Sequence, residues 1–112
     1  MNEVLRFDIS LQPDAAITLV RNGLTEQSEL LHQELHDLGD GRMIGTLVYE
    51  RYFFRTGNQA ALVVIVDNLC GVSKVRLIPA GSSNSMIFKI DRGAGKSFAA
   101  SVEKILSSYI LK

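Results

Sequence analysis

The chain has one cysteine, two prolines, no tryptophan and no surplus of either charge. These shortages exclude several classes of protein. A lone Cys70 cannot build an internal disulfide framework, which points to a reducing compartment. No apolar run approaches the ~18 residues of a membrane-spanning helix. The longest, Ala60–Val66, has seven residues. The start, Met-Asn-Glu, carries no basic segment leading to a small-residue cleavage site, so no secretory leader is expected. A cytoplasmic location is the simplest expectation. Twelve Lys and Arg balance twelve Asp and Glu, and the pI is about 6.7. No helix-turn-helix, ribonucleoprotein or zinc-finger signature is present, which argues against nucleic acid as a partner.

What is there suits one globular domain over residues 1–112. With 46% apolar residues the chain is not a disordered one. Its mass of 12.3 kDa predicts ~6,100 Å² of folded surface against ~17,800 Å² unfolded. About two thirds of the surface can therefore be buried without disulfides or metals. The zero net charge hides a split. Residues 1–50 hold three basic and nine acidic side chains, a balance of −6; residues 51–112 hold nine and three, a balance of +6. Either the two halves face each other in the fold, or a basic face meets an anionic ligand, a nucleic acid or the acidic half of another copy.

Val4–Leu11 alternates apolar and polar side chains, as a half-buried strand does. Pro13, then Ala16, Leu19, Val20 and Gly23, predict a short helix over about 14–22. Residues 25–38 are ambiguous. Leu24, Leu31, Leu35 and Leu38 have helical spacing, yet Leu38–Arg42 reads as a hairpin turn. The favoured reading is a helical turn near 25–30 that passes into a strand. Strands follow at Met43–Arg55, Ala60–Val66 (apolar on both faces, like a central strand covered twice), Val72–Ile78 and Met86–Ile90. Phe98, Val102, Ile105, Leu106, Tyr109 and Ile110 predict an amphipathic helix over roughly 95–110. The fold expected is α+β: an antiparallel sheet of about four to six strands, a short N-terminal helical segment and a long C-terminal helix packed on one face. This element order is helix-grip-like.

Few constellations carry chemistry. Gly93-Ala94-Gly95-Lys96-Ser97 resembles the end of a phosphate loop, but Ile90 stands where that motif needs its first glycine. A weaker anion site at a helix start would use Arg92, Gly93, Gly95, Lys96 and Ser97. His32 and His36 lie four apart; on a helix they could share a metal, but on a strand they stand about 13 Å apart. No metal ligand set and no cofactor is assigned. Cys70 lacks a recognisable base. The most distinctive stretch is Glu50-Arg51-Tyr52-Phe53-Phe54-Arg55. Either Glu50 or Arg51 enters an internal ion pair, or Tyr49, Glu50, Arg51, Tyr52 and Arg55 line a cleft with aromatic walls and a few polar groups.

Val48-Tyr49-Glu50-Arg51-Tyr52-Phe53-Phe54-Arg55, followed by Gly57-Asn58-Gln59-Ala60-Ala61-Leu62-Val63-Val64, resembles a family of small bacterial proteins of about this length. Phe88, Asp91, Gly93-Ala94 and Ser97-Phe98 fit the same pattern. The family has no assigned activity, so the resemblance implies a bacterial cytoplasmic stand-alone domain and brings no catalytic residue with it. Three readings of function remain. The first is a non-enzymatic domain that binds a small molecule or partner and self-associates, with a dimer favoured. The second is a small enzyme using a Tyr/Glu/Arg cleft. The third is a purely structural or regulatory interaction protein.

Overall fold

A computed structural model of the chain describes residues 4–25, 28–53, 57–80 and 98–112. Five strands form one antiparallel sheet: β1 (Leu5–Ile9), β2 (Ser28–Gly39), β3 (Arg42–Phe53), β4 (Asn58–Asp67) and β5 (Ser73–Ala80). Their order across the sheet is β1-β5-β4-β3-β2, so β4 lies in the middle. Helix α1 (Pro13–Gly23) joins β1 to β2. A second helix, α2, covers residues 98–105.

α1 starts where proline is at its least costly. Pro13 occupies the first turn, where its missing N–H has no intrahelical partner to lose. Asp14 in the first turn and Arg21 in the last complement the helix dipole. Pro13, Ala16, Ile17 and Val20 make the buried stripe. That stripe rests on the sheet at Gly45, where an added Cβ would stand 2.7 Å from Ile17 Cγ1. The helix approaches so closely because position 45 has no side chain.

Two corrections concern the helices. The long helix expected over roughly 95–110 is absent, and the helix-grip likeness falls with it. Described helical residues run over 98–105, eight in all. The chain then makes a 3₁₀ turn at Ser107–Tyr109 and becomes extended at Ile110, which bridges Ile9 of β1. Ser10 N–H donates to the Tyr109 carbonyl and Leu111 N–H to the Asp8 carbonyl, both at 2.9 Å. Pairing with β1 wins over continuation of the helix through Ser107 and Ser108, which are indifferent helix formers. The helical turn expected near 25–30 is also overturned, since Ser28–Leu30 already belong to β2. The strand expected at Met86–Ile90 lies outside the described residues.

The β2–β3 hairpin turns through Asp40-Gly41, both with positive φ (58° and 79°), and Gly39 pairs with Arg42. That is the mirror-image two-residue turn matched to strand twist, and Asp-Gly is suited to it. Asn68, which is buried, ties this hairpin to the rest. Its Oδ1 accepts from Met43 N–H at 2.7 Å, and its Nδ2 donates to the Gly41 carbonyl at 2.9 Å and to Gln12 Oε1 at 3.0 Å. One side chain thus joins the end of β4, the hairpin and the start of α1.

Replacing Asn68 by alanine leaves several of these groups without partners. The expected loss of stability is about 2–3 kcal/mol, measured by urea unfolding. A loss under ~0.5 kcal/mol would show that water replaces the amide at no cost.

Candidate functional site

Directly paired residues share a face of the sheet, so the strand register sorts every side chain. The inner face carries Leu47 and Tyr49 of β3, Leu62, Val64 and Val66 of β4, and Val75 and Leu77 of β5, all buried. α1 and α2 close over it, with Ala16, Ile17, Val20, Phe98, Val102 and Leu106 in the same core. The outer face is different. Ile44 and Val48 of β3, Ala61, Val63 and Ile65 of β4, and Ile78 of β5 point that way and are half-buried. Neither described helix packs against them. An antiparallel sheet with one solvated face usually turns polar side chains to water; here the middle strand turns Ala61, Val63 and Ile65.

Charge lies at the two margins of this outer face. On one side Glu29 of β2 stands directly opposite Glu50 of β3. His32, Glu34 and His36 continue the same face of β2, all exposed. Glu34 receives His32 Nε2 at 2.9 Å and His36 Nε2 at 3.2 Å on its two oxygens. These two hydrogen bonds hold the Glu34 carboxyl below its ordinary range. On the other side Arg6 of β1 stands directly opposite Arg76 of β5. Arg76 meets Asp67 at 3.3 Å, and Lys74 meets Asp8 at 3.7 Å.

The residues proposed for an aromatic cleft are divided between the two faces. Tyr49 is inside and buried, and burial pushes its hydroxyl above the ordinary value. Its ring meets Phe98 edge-on, with centroids 6.4 Å apart. Arg51 is also on the inner side. Its Nε donates to Ser28 Oγ at 3.1 Å, and its guanidinium carbon lies 4.4 Å from the centre of the Phe98 ring. Burial lowers its pKa. Glu50 and Tyr52 point to the outer face, and Tyr52 is exposed. The structure therefore brings Tyr49 and Arg51 together around Phe98 and does not bring Glu50 or Tyr52 to them. Arg55 lies outside the described residues, as do Arg92, Gly93, Gly95, Lys96 and Ser97 of the anion-site reading.

Among the described residues no group of three or more His, Cys, Asp or Glu could hold a metal ion. His32 and His36 sit on a strand and converge on a carboxylate. Cys70 is an exposed free thiol in the β4–β5 turn. No helix among the described residues is long and apolar enough to cross a membrane. Arg6 was not singled out from the sequence, and Val63 and Ile65 appeared there only within an apolar run. The one signal for them is the alternation of β1 and β4 read against neighbouring strands.

Two stability effects follow from this division. Arg51→Ala removes a partly desolvated contact with an aromatic ring and is expected to cost about 1–2 kcal/mol. Glu50→Ala relieves a like-charge pair and is expected to change stability by no more than ~0.5 kcal/mol, in the stabilising direction. Chemical denaturation of both variants checks this. Equal, large losses would mean that Glu50 is as deeply engaged as Arg51.

The model of a family of unknown function, DUF6054, matches residues 3–110, and the chain belongs to that family. No curated protein matches the chain.

Proposed function

We propose that this member of the family is a non-enzymatic, self-associating binding domain of the bacterial cytoplasm, and that the outer face of its sheet is the surface of association. The observation that carries this reading is the apolar middle of that face. Ala61, Val63 and Ile65 line up on the central strand with Val48 and Ile78 beside them, all half-buried. A contiguous apolar patch rimmed by charge is the usual mark of a protein contact surface.

The size of the face sets the affinity expected. Five strands about 4.8 Å apart and seven residues of about 3.4 Å give a face of roughly 20 by 25 Å. Two such faces bury on the order of 1,000 Å², the lower end for specific association. A dimer held by this surface is therefore of micromolar strength rather than obligate. The charged margins make it salt-sensitive, and it should loosen between 50 and 500 mM salt as the screening length falls from ~14 to ~4 Å.

Sedimentation equilibrium from 1 to 200 μM tests the reading. The wild-type chain is expected to dimerise in that range. Val63→Asp, which places a charge at the centre of the patch, is expected to weaken the dimer by about a hundredfold with an unchanged far-UV spectrum. A chain monomeric at 200 μM, or a dimer indifferent to Val63→Asp, overturns it.

A further inference from the structure

We propose that the edge of the sheet at β2 is a peptide-binding site, and that its ligand is an extended segment of another protein in which basic and apolar side chains alternate. The segment adds to the sheet as a further strand beside β2. This goes beyond association through the outer face and does not depend on it.

The two edges of the sheet are treated differently. At β1 the chain's own C-terminal residues lie alongside: Ile110 bridges Ile9, with a hydrogen bond on either side of the bridge. β2 has twelve residues and pairs with β3 alone, and among the described residues no strand lies on its far side. A strand so placed turns half of its N–H and C=O groups away from the sheet, toward any extended chain that reaches them. Edges are commonly guarded by Lys, by Pro or by bulges. β2 has no Lys and no Pro. Its register shifts, between Leu30 and His32 and between Asp37 and Gly39, lie toward its ends and leave residues 32–37 regular. Leu31, Leu35 and Leu38 are all exposed there.

The side chains of this edge set what the added strand carries. On the outer face the regular run shows His32, Glu34 and His36. Both imidazoles meet Glu34 through Nε2. A neutral ring that donates there keeps Nδ1 as an acceptor. The whole row therefore accepts hydrogen bonds and favours donors, cations above all. On the inner side Leu35 pairs with Gly45 and is exposed, so a neighbour there gains by being apolar. Asp37, further along that side, is already turned back to Gly39 N–H at 2.9 Å. Successive residues of a strand point to opposite faces, so basic side chains beside Glu34 alternate with apolar ones beside Leu35. A second copy of β2 is the poorer occupant. The strand holds Glu29, Glu34 and Asp37 and neither Lys nor Arg. Pairing with itself doubles charge of one sign, whereas a basic segment offsets it.

A short synthetic peptide of alternating Lys and Val tests this, at about pH 8 where histidine is neutral. Fluorescence anisotropy gives the affinity and amide NMR the location. Wild type and Val63→Asp are both expected to bind it with Kd on the order of 100 μM, with shifts confined to β2 and its neighbours on β3. The Val63→Asp result makes the outcome independent of the outer face. Glu29 and Glu34 are exposed, and Glu29 faces a like charge in Glu50, so reversing both leaves the fold intact. Glu29→Lys with Glu34→Lys is expected to raise Kd about tenfold. N-methylating the central amides of the peptide keeps its charge, removes its hydrogen bonds and is expected to weaken binding by at least about tenfold. Equal binding of the methylated peptide means a loose ionic contact and overturns strand addition. Equal binding of a Glu/Val peptide, or indifference to the charge reversals, overturns the basic ligand. Shifts on β2 that grow with protein concentration in Val63→Asp, without peptide, give the edge to a second copy and overturn the proposal. So does the absence of binding at about 1 mM peptide.

Discussion

The close seat of α1 on Gly45 is the contact on which the rest of the architecture depends. Ile17 occupies the space that a side chain at position 45 would fill. The helix therefore lies low over β3 and β4 and seals the inner face of those strands against water, while Leu35 on the same face of β2 stays exposed. α2 completes the seal: an added Cβ at Gly23 of α1 would stand 2.6 Å from Ile105 Cδ1. The two helices touch over the same side of the sheet. The inner side chains of β3, β4 and β5 are buried as a consequence, with Leu47, Leu62, Val64, Val66, Val75 and Leu77 fully enclosed. Both described helices are used on that side, and neither remains for the outer one.

Much of this architecture was legible where a segment's own pattern agrees with its tertiary role. The alternation in β1 and β5, the proline at the head of α1 and the Asp-Gly turn each announce their structure locally. β2 does not. Its side chains from Leu31 to Asp40 are exposed, so no buried stripe marks it as a strand, and Glu, Gln and Leu at those positions suit a helix equally well. Its strand conformation comes from pairing along β3, which fixes an edge strand irrespective of its intrinsic preference. The C-terminal segment misleads in the opposite way. Phe98, Val102, Leu106, Tyr109 and Ile110 all face the core, so the apolar spacing is real. The backbone that carries them changes from helix to 3₁₀ turn to extended chain, because the last residues find hydrogen-bond partners in β1.

The candidate site was legible in composition and illegible in arrangement. The stretch Tyr49–Tyr52 looks like one cluster in sequence, but a strand sends successive residues to opposite sides. Tyr49 and Arg51 enter the core around Phe98, whereas Glu50 and Tyr52 face outward. Arg51 shows how a half-buried cation is accommodated on this side. An aromatic face and the Ser28 hydroxyl both stabilise it there, and its long stem packs as apolar surface. The charge split between the halves of the chain has a spatial counterpart. β2 and β3 come from the acidic half and lie together at one side, while β5 comes from the basic half. β1 belongs to the acidic half in sequence yet brings Arg6 to the basic margin. A count along the chain cannot register that, because it depends on β1 crossing over to pair with β5.

Cross-strand like-charge pairs explain why the two margins matter energetically. Glu29 opposite Glu50, and Arg6 opposite Arg76, each oppose sheet formation by a few tenths of a kcal/mol up to about 1 kcal/mol. Asp67 offsets this at Arg76, where it lies 3.3 Å away. The remaining repulsion is small against the burial of the inner face, so the sheet forms in spite of it. A surface that meets these margins with the opposite sign removes the repulsion and adds attraction. It also withdraws Val63 and Ile65 from water.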